Sequence, residues 1–199
     1  MKKSNNSFYT NDELIDIGFK YIGRNVLISR KASIYSPGNI SIGDNVRIDD
    51  FSILSATGGS ITINNHIHIA AFCNIIGKGC VVMKDFSALS SRVSLYSATD
   101  DFGGDYLVGP VMDGICINVR TGKIIIDKYV AVGSNSTIFP NVYLKEGSIL
   151  GTHSYTFKNL GAWKIYLGNP AKFIMLRKKG LLKLLPIMEK KWTEKPTKN

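Results

Sequence analysis

The groups in this chain best suited to moving a proton near neutral pH are few and unevenly placed. Three histidines, His66, His68 and His153, supply imidazoles, and Asp100 and Asp101 stand side by side ahead of a glycine-rich stretch. An imidazole titrates near 6.5 and serves as a general base toward a hydroxyl. A carboxylate titrating near 4 is ionised at neutral pH but is a weak base. It suits a reaction in which a neutral amine attacks and needs only an acceptor for the proton it then sheds. Cys73, Cys80 and Cys116 make an odd number without metal-ligand spacing. Cys73 stands where a small residue is wanted, so it reads as core filler. His66 and His68 are two apart and His153 lies far along the chain, a poor pattern for a shared metal.

What must position these groups is a strict repeat. Ile126, Val132, Ile138, Leu144 and Leu150 follow one another at intervals of six, and four places after each comes Val130, Ser136, Val142, Ser148 or Ser154. A helix would turn each successive large residue by about 600°, scattering them around its surface, and a strand would alternate every second residue. A period of six fits a solenoid with flat faces, each taking one hexad with its aliphatic residue inward. The pattern predicts an all-β fold, a parallel β-helix of hexapeptide repeats over residues 22–174. Its inward residues run Ile22, Ile28, Ile34; Ile42, Ile48, Leu54; Ile63, Ile69, Ile75; Met83, Leu89, Leu95; then the strict run. Three hexads make one coil of a triangular prism. Every longer gap follows a third hexad, so the insertions stack on one edge. The longest is a loop over residues 100–125, and long loops in compact domains are usually functional.

The ends read differently. Residues 1–21 form a cap in which Thr10 and Glu13 make a capping box. Residues 175–199 are basic, and the apolar residues between Leu176 and Trp192 predict an amphipathic helix interrupted at Pro186. The formal charge of +10 gathers in this tail, at Lys172, Arg177, Lys178, Lys179, Lys183, Lys190, Lys191, Lys195 and Lys198. No nucleic-acid-binding signature accompanies it. No apolar run reaches membrane-spanning length, and the N-terminal segment lacks the apolar core of a secretory signal. A cytoplasmic, reducing compartment is the expectation, with membrane-surface contact by the tail a lesser alternative.

The hexad run, the segment Asn169–Lys172 and the loop that follows LYSATDDF resemble the hexapeptide-repeat, left-handed β-helix acetyltransferases. The likeness is to the galactoside and maltose acetyltransferase branch and its relatives in surface-polysaccharide synthesis. The left hand comes from this resemblance, not from the period. The resemblance implies a homotrimer with active sites between subunits and acetyl-CoA as co-substrate, without a metal. It places Ala131, Ser134, Thr152, His153 and Lys158 along the coenzyme's path, with Lys172 and Arg177 available to its phosphates. It also marks a departure. Where that branch carries a catalytic histidine, this chain has Asp100, with Asp101 beside it. The substitution points to N-acetylation of a nucleotide-linked amino sugar, Asp100 taking the proton. The alternative is that Asp100 only anchors the loop. Asp101, Phe102 and Tyr106 are the candidate acceptor contacts. His68 is the second candidate base, expected at a corner between the first two faces, and His153 is expected mid-face. O-acetylation of a sugar hydroxyl is the rival activity; a zinc hydratase and a non-catalytic scaffold are remoter ones.

Overall fold

The computed structural model describes residues 7–188 and shows a triangular β-solenoid of about seven coils. Three sheets of six, eight and six strands form its faces, parallel throughout except for the last pair of the eight-stranded one. The first face stacks Tyr21–Ile22, Ile40–Ile42, Ser60–Ile63, Cys80–Met83, Lys123–Ile126 and Tyr143–Leu144. Coils in such a stack lie about 4.8 Å apart, each strand bonding to the one above and below. The inward hexad residues from Ile42 to Leu150 are 1% exposed or less, so the axis is filled by apolar side chains. The small residues at the fourth following position are buried too. Among the serines there, Ser52 Oγ donates to Ala70 O and Ser136 Oγ to Gly151 O, while the hydroxyls of Ser87 and Ser148 are buried without a partner.

At two of the three edges nearly every corner is turned by one residue with positive φ, three places after an inward aliphatic; Lys31 is the exception. Between the first and second faces these are Asn25, Asn45, His66, Phe86, Tyr129, Gly147 and Trp163. Between the second and third faces they are Phe51, Phe72, Arg92, Asn135 and His153. Left-handed backbone is unusual for bulky side chains, and the regular corner stack enforces it. At the first of these corners the rings make a ladder. His66 stacks on Phe86 at 4.8 Å, Phe86 on Tyr129 at 5.5 Å, and Trp163 reaches Tyr129 at 6.1 Å across the intervening coil. Gly147 makes that reach possible: a Cβ there would fall 2.5 Å from the indole.

The ends are closed as follows. A short helix, Asn11–Asp16, is capped by Thr10, whose backbone N–H donates to Glu13 at 2.8 Å. Arg30, 2.6 Å away, chiefly holds the Glu13 carboxyl at about 2. Leu14 from this helix plugs the first coil. At the other end, Lys164–Gly168 and Ala171–Leu176 form an antiparallel hairpin on the second face, with Asn169 and Pro170 at its turn. A short C-terminal helix is present, but its expected start is corrected: Leu176 ends a strand, Gly180–Leu184 is a 3-10 turn, and helical backbone begins at 185. Pro186 falls in the first turn of that segment, where its missing N–H costs nothing. The remainder of the expected helix lies outside the described residues. No described helix is long and apolar enough to cross a membrane.

Cys73 is fully buried on a corner, its thiol donating to Ser90 O, and burial pushes it up to about 11. In native protein at pH 8, a disulfide reagent should titrate no more than Cys80 and Cys116. The third thiol should appear only on denaturation. Three rapid equivalents would overturn this packing.

Candidate active site

The long loop leaves the prism after the third face of the fourth coil and returns without disturbing the stack. Met83 still pairs with Ile126 and Leu95 with Ile138. Its root is a small antiparallel ribbon, Ala98–Asp100 against Val119–Thr121. The two adjacent aspartates have separate situations there. Asp101 is 8% exposed and saturated: Oδ1 accepts from Gly103 N at 2.9 Å, while Oδ2 accepts from Asn118 Nδ2 at 3.0 Å and Arg120 at 2.8 Å. The Gly103 N–H leads in holding its carboxyl below the ordinary carboxylate range, with Asn118 and Arg120 adding to it against the cost of desolvation. Such a carboxylate clamps a loop. Asp100, one residue earlier, is half-buried, and its side chain accepts no hydrogen bond from any described residue. Phe102 and Tyr106 stand exposed, as do Val111 and Ile115, so the loop presents an apolar surface that its own chain does not cover.

Beside the loop root opens a cleft of ≈ 520 Å³ lined by Thr99, Arg120, Phe139, Pro140, Asn141, Tyr155 and Phe157. Phe139 and Tyr155 meet edge to face at 6.1 Å, and Tyr155 and Phe157 lie 5.7 Å apart. Lys158 follows on the same edge; its N–H and carbonyl both bond to the Thr156 hydroxyl, which fixes its backbone. The aromatic lining and Arg120 were not among the sequence-derived candidates. Their signal is positional: Phe139 and Phe157 each directly follow an inward hexad residue and so face outward.

The other candidates lie elsewhere on the prism. Ala131 is on the second face, between Ala88 and Ile149. Ser134, Thr152 and His153 share the edge between the second and third faces. His153 has φ 51 and lies 3.3 Å from Asn135 Nδ2, so it turns a corner instead of lying mid-face. His68 is the reverse case. It sits in the strand Ile67–Ile69 with its ring outward on the second face, 2.7 Å from Asp49, and His66 takes the corner. Lys172 is exposed in the hairpin. Arg177 is engaged: it donates to Tyr129 O at 2.5 Å and Gly147 O at 3.0 Å, lies over Trp163, and burial lowers its pKa. Both bonds come from Nη1, and they pin the hairpin to the ring ladder. Within one chain, then, the Asp100 edge and the Ser134–His153 edge are separated by the third face. No group of three metal-binding side chains lies together among the described residues.

No protein-family model matches the chain. It is 45% identical over 172 residues to dTDP-4-amino-4,6-dideoxy-D-glucose acyltransferase of Escherichia coli, covering 86% of this chain and 90% of that protein. Among solved structures it superposes on AntD, an N-acyltransferase from Bacillus cereus in complex with dTDP and 3-hydroxybutyryl-CoA. The TM-score is 0.90 at 47% identity, over 95% of this chain and 100% of that one. A hexapeptide-repeat acetyltransferase from Vibrio cholerae shares the fold at 18% identity, with a TM-score of 0.56 over 87% of this chain and 85% of that one. The hexad solenoid, the loop after its fourth coil and these relatives agree: the chain belongs to the hexapeptide-repeat, left-handed β-helix acyltransferases.

Proposed function

We propose that the protein transfers an acyl group, acetyl in the first instance, from acyl-CoA to the amino group of a dTDP-linked 4-amino-4,6-dideoxyhexose. The observation that carries this is the unequal pair at the loop root. Asp101 is consumed by the clamp, and the Asp100 side chain beside it has no hydrogen-bond partner among the described residues. A carboxylate in that place suits an amine. The reading draws on the relatives as well. The E. coli enzyme is named for this amino sugar, and AntD has been crystallised with it and with coenzyme A. The AntD variants studied replace an aspartate or, ten positions before it, a serine. Here Ser90 stands ten before Asp100 and Ser91 ten before Asp101. The clamp on Asp101 favours the Ser90–Asp100 pair as the counterpart.

The amine nitrogen attacks the thioester carbonyl carbon, the carbon–sulfur bond breaks, and an amide and the CoA thiolate result. Asp100 takes the proton shed by nitrogen, and the thiolate is protonated in turn. Holding both reactants in one cleft supplies much of the rate. The reading includes a threefold assembly, which would bring the Asp100 edge of one subunit against the Ser134–His153 edge of the next and cover the loop's exposed apolar side chains. In this arrangement the aromatic cleft and Lys158 accommodate the coenzyme, the lysine meeting phosphate. The reaction belongs in the cytoplasm, supplying a modified sugar for surface polysaccharide.

The test supplies acetyl-CoA or 3-hydroxybutyryl-CoA with the dTDP-linked amino sugar or its 4-hydroxy counterpart. Thiol release and product mass are followed, and light scattering gives the assembly. An amide product and a trimer are expected. Equal acylation of the hydroxy sugar moves the activity to O-acylation, and a monomer removes the intersubunit site.

A further inference from the structure

The formal charge of the chain is not spread over the prism. Residues 1–146 hold 14 Lys and Arg against 13 Asp and Glu, so nearly all of the net +10 arises beyond Glu146. From Gly147 to Met188 there are seven Lys and Arg and no Asp or Glu. Apolar side chains lie exposed among these cations. The closing strand Ala171–Leu176 is the last of its sheet, and Phe173, Ile174, Met175 and Leu176 in it are 51–71% exposed. Lys172 precedes that run, and Arg177, Lys178 and Lys179 follow it. The segment beyond is two-sided. Leu181 and Leu185 turn to the prism, lining a hollow with Phe86 and Tyr129, whereas Lys183, Leu184 and Ile187 are exposed. Among the described residues none of Lys172, Lys178, Lys179 and Lys183 meets a carboxylate. This surface lies on the second face and its edge with the first, away from the third face around which the assembly proposed above closes.

We propose that this end of the prism docks on an anionic phospholipid bilayer, its apolar run entering the interface and its lysines meeting headgroup phosphates. Exposed apolar patches mark contact surfaces, and here the charge decides what the contact is. A second copy seated symmetrically on the patch would set cation against cation. An anionic surface answers them instead, and each lysine near such a surface strengthens binding about fivefold. The pattern suits a bilayer as well. Four consecutive apolar residues between cations put carbon at the depth of the acyl chains and charge at the depth of the headgroups. The contact is peripheral, since no described helix is long and apolar enough to cross a membrane. The sequence makes membrane contact the lesser reading, resting on the tail; what raises it is the exposed strand of the hairpin. Each subunit carries the whole patch. The threefold assembly proposed above would set three of them at one end, where linkage multiplies a weak contact.

The test is co-sedimentation of the intact protein with vesicles of phosphatidylcholine alone or mixed with phosphatidylglycerol, at low and high salt. Binding to the mixed vesicles only, weakened by salt, is expected. Lys178→Gln with Lys183→Gln should weaken it about tenfold or more, and Ile174→Ser with Leu176→Ser by a similar factor. Turnover without vesicles, KM for acyl-CoA and the assembly's mass should not move in either. No sedimentation with the mixed vesicles, or equal sedimentation with phosphatidylcholine alone, overturns the proposal. So does vesicle binding that survives both double variants and falls with Lys190→Gln and Lys191→Gln, which puts the contact after residue 188. Lysine-dependent binding to polyglutamate without binding to vesicles overturns it in favour of an acidic protein. A doubled mass by light scattering, lost in Ile174→Ser with Leu176→Ser, overturns it in favour of a second copy. A raised KM for acyl-CoA in Lys178→Gln with Lys183→Gln, vesicle binding intact, returns those lysines to the coenzyme.

Discussion

Asp100→Asn should lower kcat for the amino sugar by about 10²–10⁴ while leaving KM for acyl-CoA and the assembly's mass unchanged. Asparagine keeps the size of the side chain and the strand pairing of Asp100 with Val119, so the loop root survives. What it removes is the only carboxylate at the root that no other described side chain occupies. The loss should shrink as pH rises, because more of the acceptor amine then begins neutral and less depends on a protein group to collect its proton. Asp101→Asn should behave differently. It weakens the bonds to Gly103, Asn118 and Arg120, so it should raise KM for the acceptor and open the loop to proteolysis. The Asp101 carboxyl titrates below its ordinary value, so its clamp is at full strength above that value and fades as pH falls through the depressed one. A kcat that survives in Asp100→Asn but collapses in His68→Ala would transfer the proton to the imidazole beside Asp49 and favour a hydroxyl acceptor.

The largest loss of stability should follow Gly59→Ala. A Cβ at Gly59 would lie 2.1 Å from the carbonyl oxygens of both Gly77 and Gly79. Those are backbone atoms of the next turn of the edge, so no side-chain rotation relieves the clash and two coils must part. A cost of about 3 kcal/mol is expected, or roughly 6–12 °C in Tm for a chain of this length. Gly114→Ala is the control. Nothing lies within 4 Å of its Cβ and its backbone is ordinary, so Tm should hardly move. Equal losses in the two variants, read from thermal melts at one protein concentration, would mean that the coils do not approach at Gly59 as described.

The prism was legible because one kind of residue at one period decides it. An inward aliphatic every six residues needs no tertiary information, and Ile42 through Leu150 obey it. The corners were legible in principle but misassigned. The turning residue lies three places after the aliphatic, so Ile63 places His66 and Leu150 places His153 at corners, whereas His68, just before Ile69, belongs to a strand. The loop has no period, so nothing local announced that Asp101 would find Asn118 and Arg120 seventeen and nineteen residues on. The ladder from His66 to Trp163 escaped for a similar reason: it joins equivalent corners of separate coils and is invisible along the chain. At the C-terminus the helix expected from Leu176 starts later, at 185, because Leu176 itself ends the strand that pairs with Lys164–Gly168 and covers an otherwise open sheet edge.

The ribbon at the loop root has a consequence for how such proteins diversify. Ala98–Asp100 and Val119–Thr121 close the excursion on itself, and the fourth and fifth coils stack as if nothing intervened. What lies beyond the ribbon can therefore change length or sequence without the solenoid registering it. Doubling the excursion would cost only about 0.6 kcal/mol in closure entropy, far less than the loss of one coil. Acceptor preference can drift or be transplanted with the loop, while the stack that holds the coenzyme side stays under separate selection.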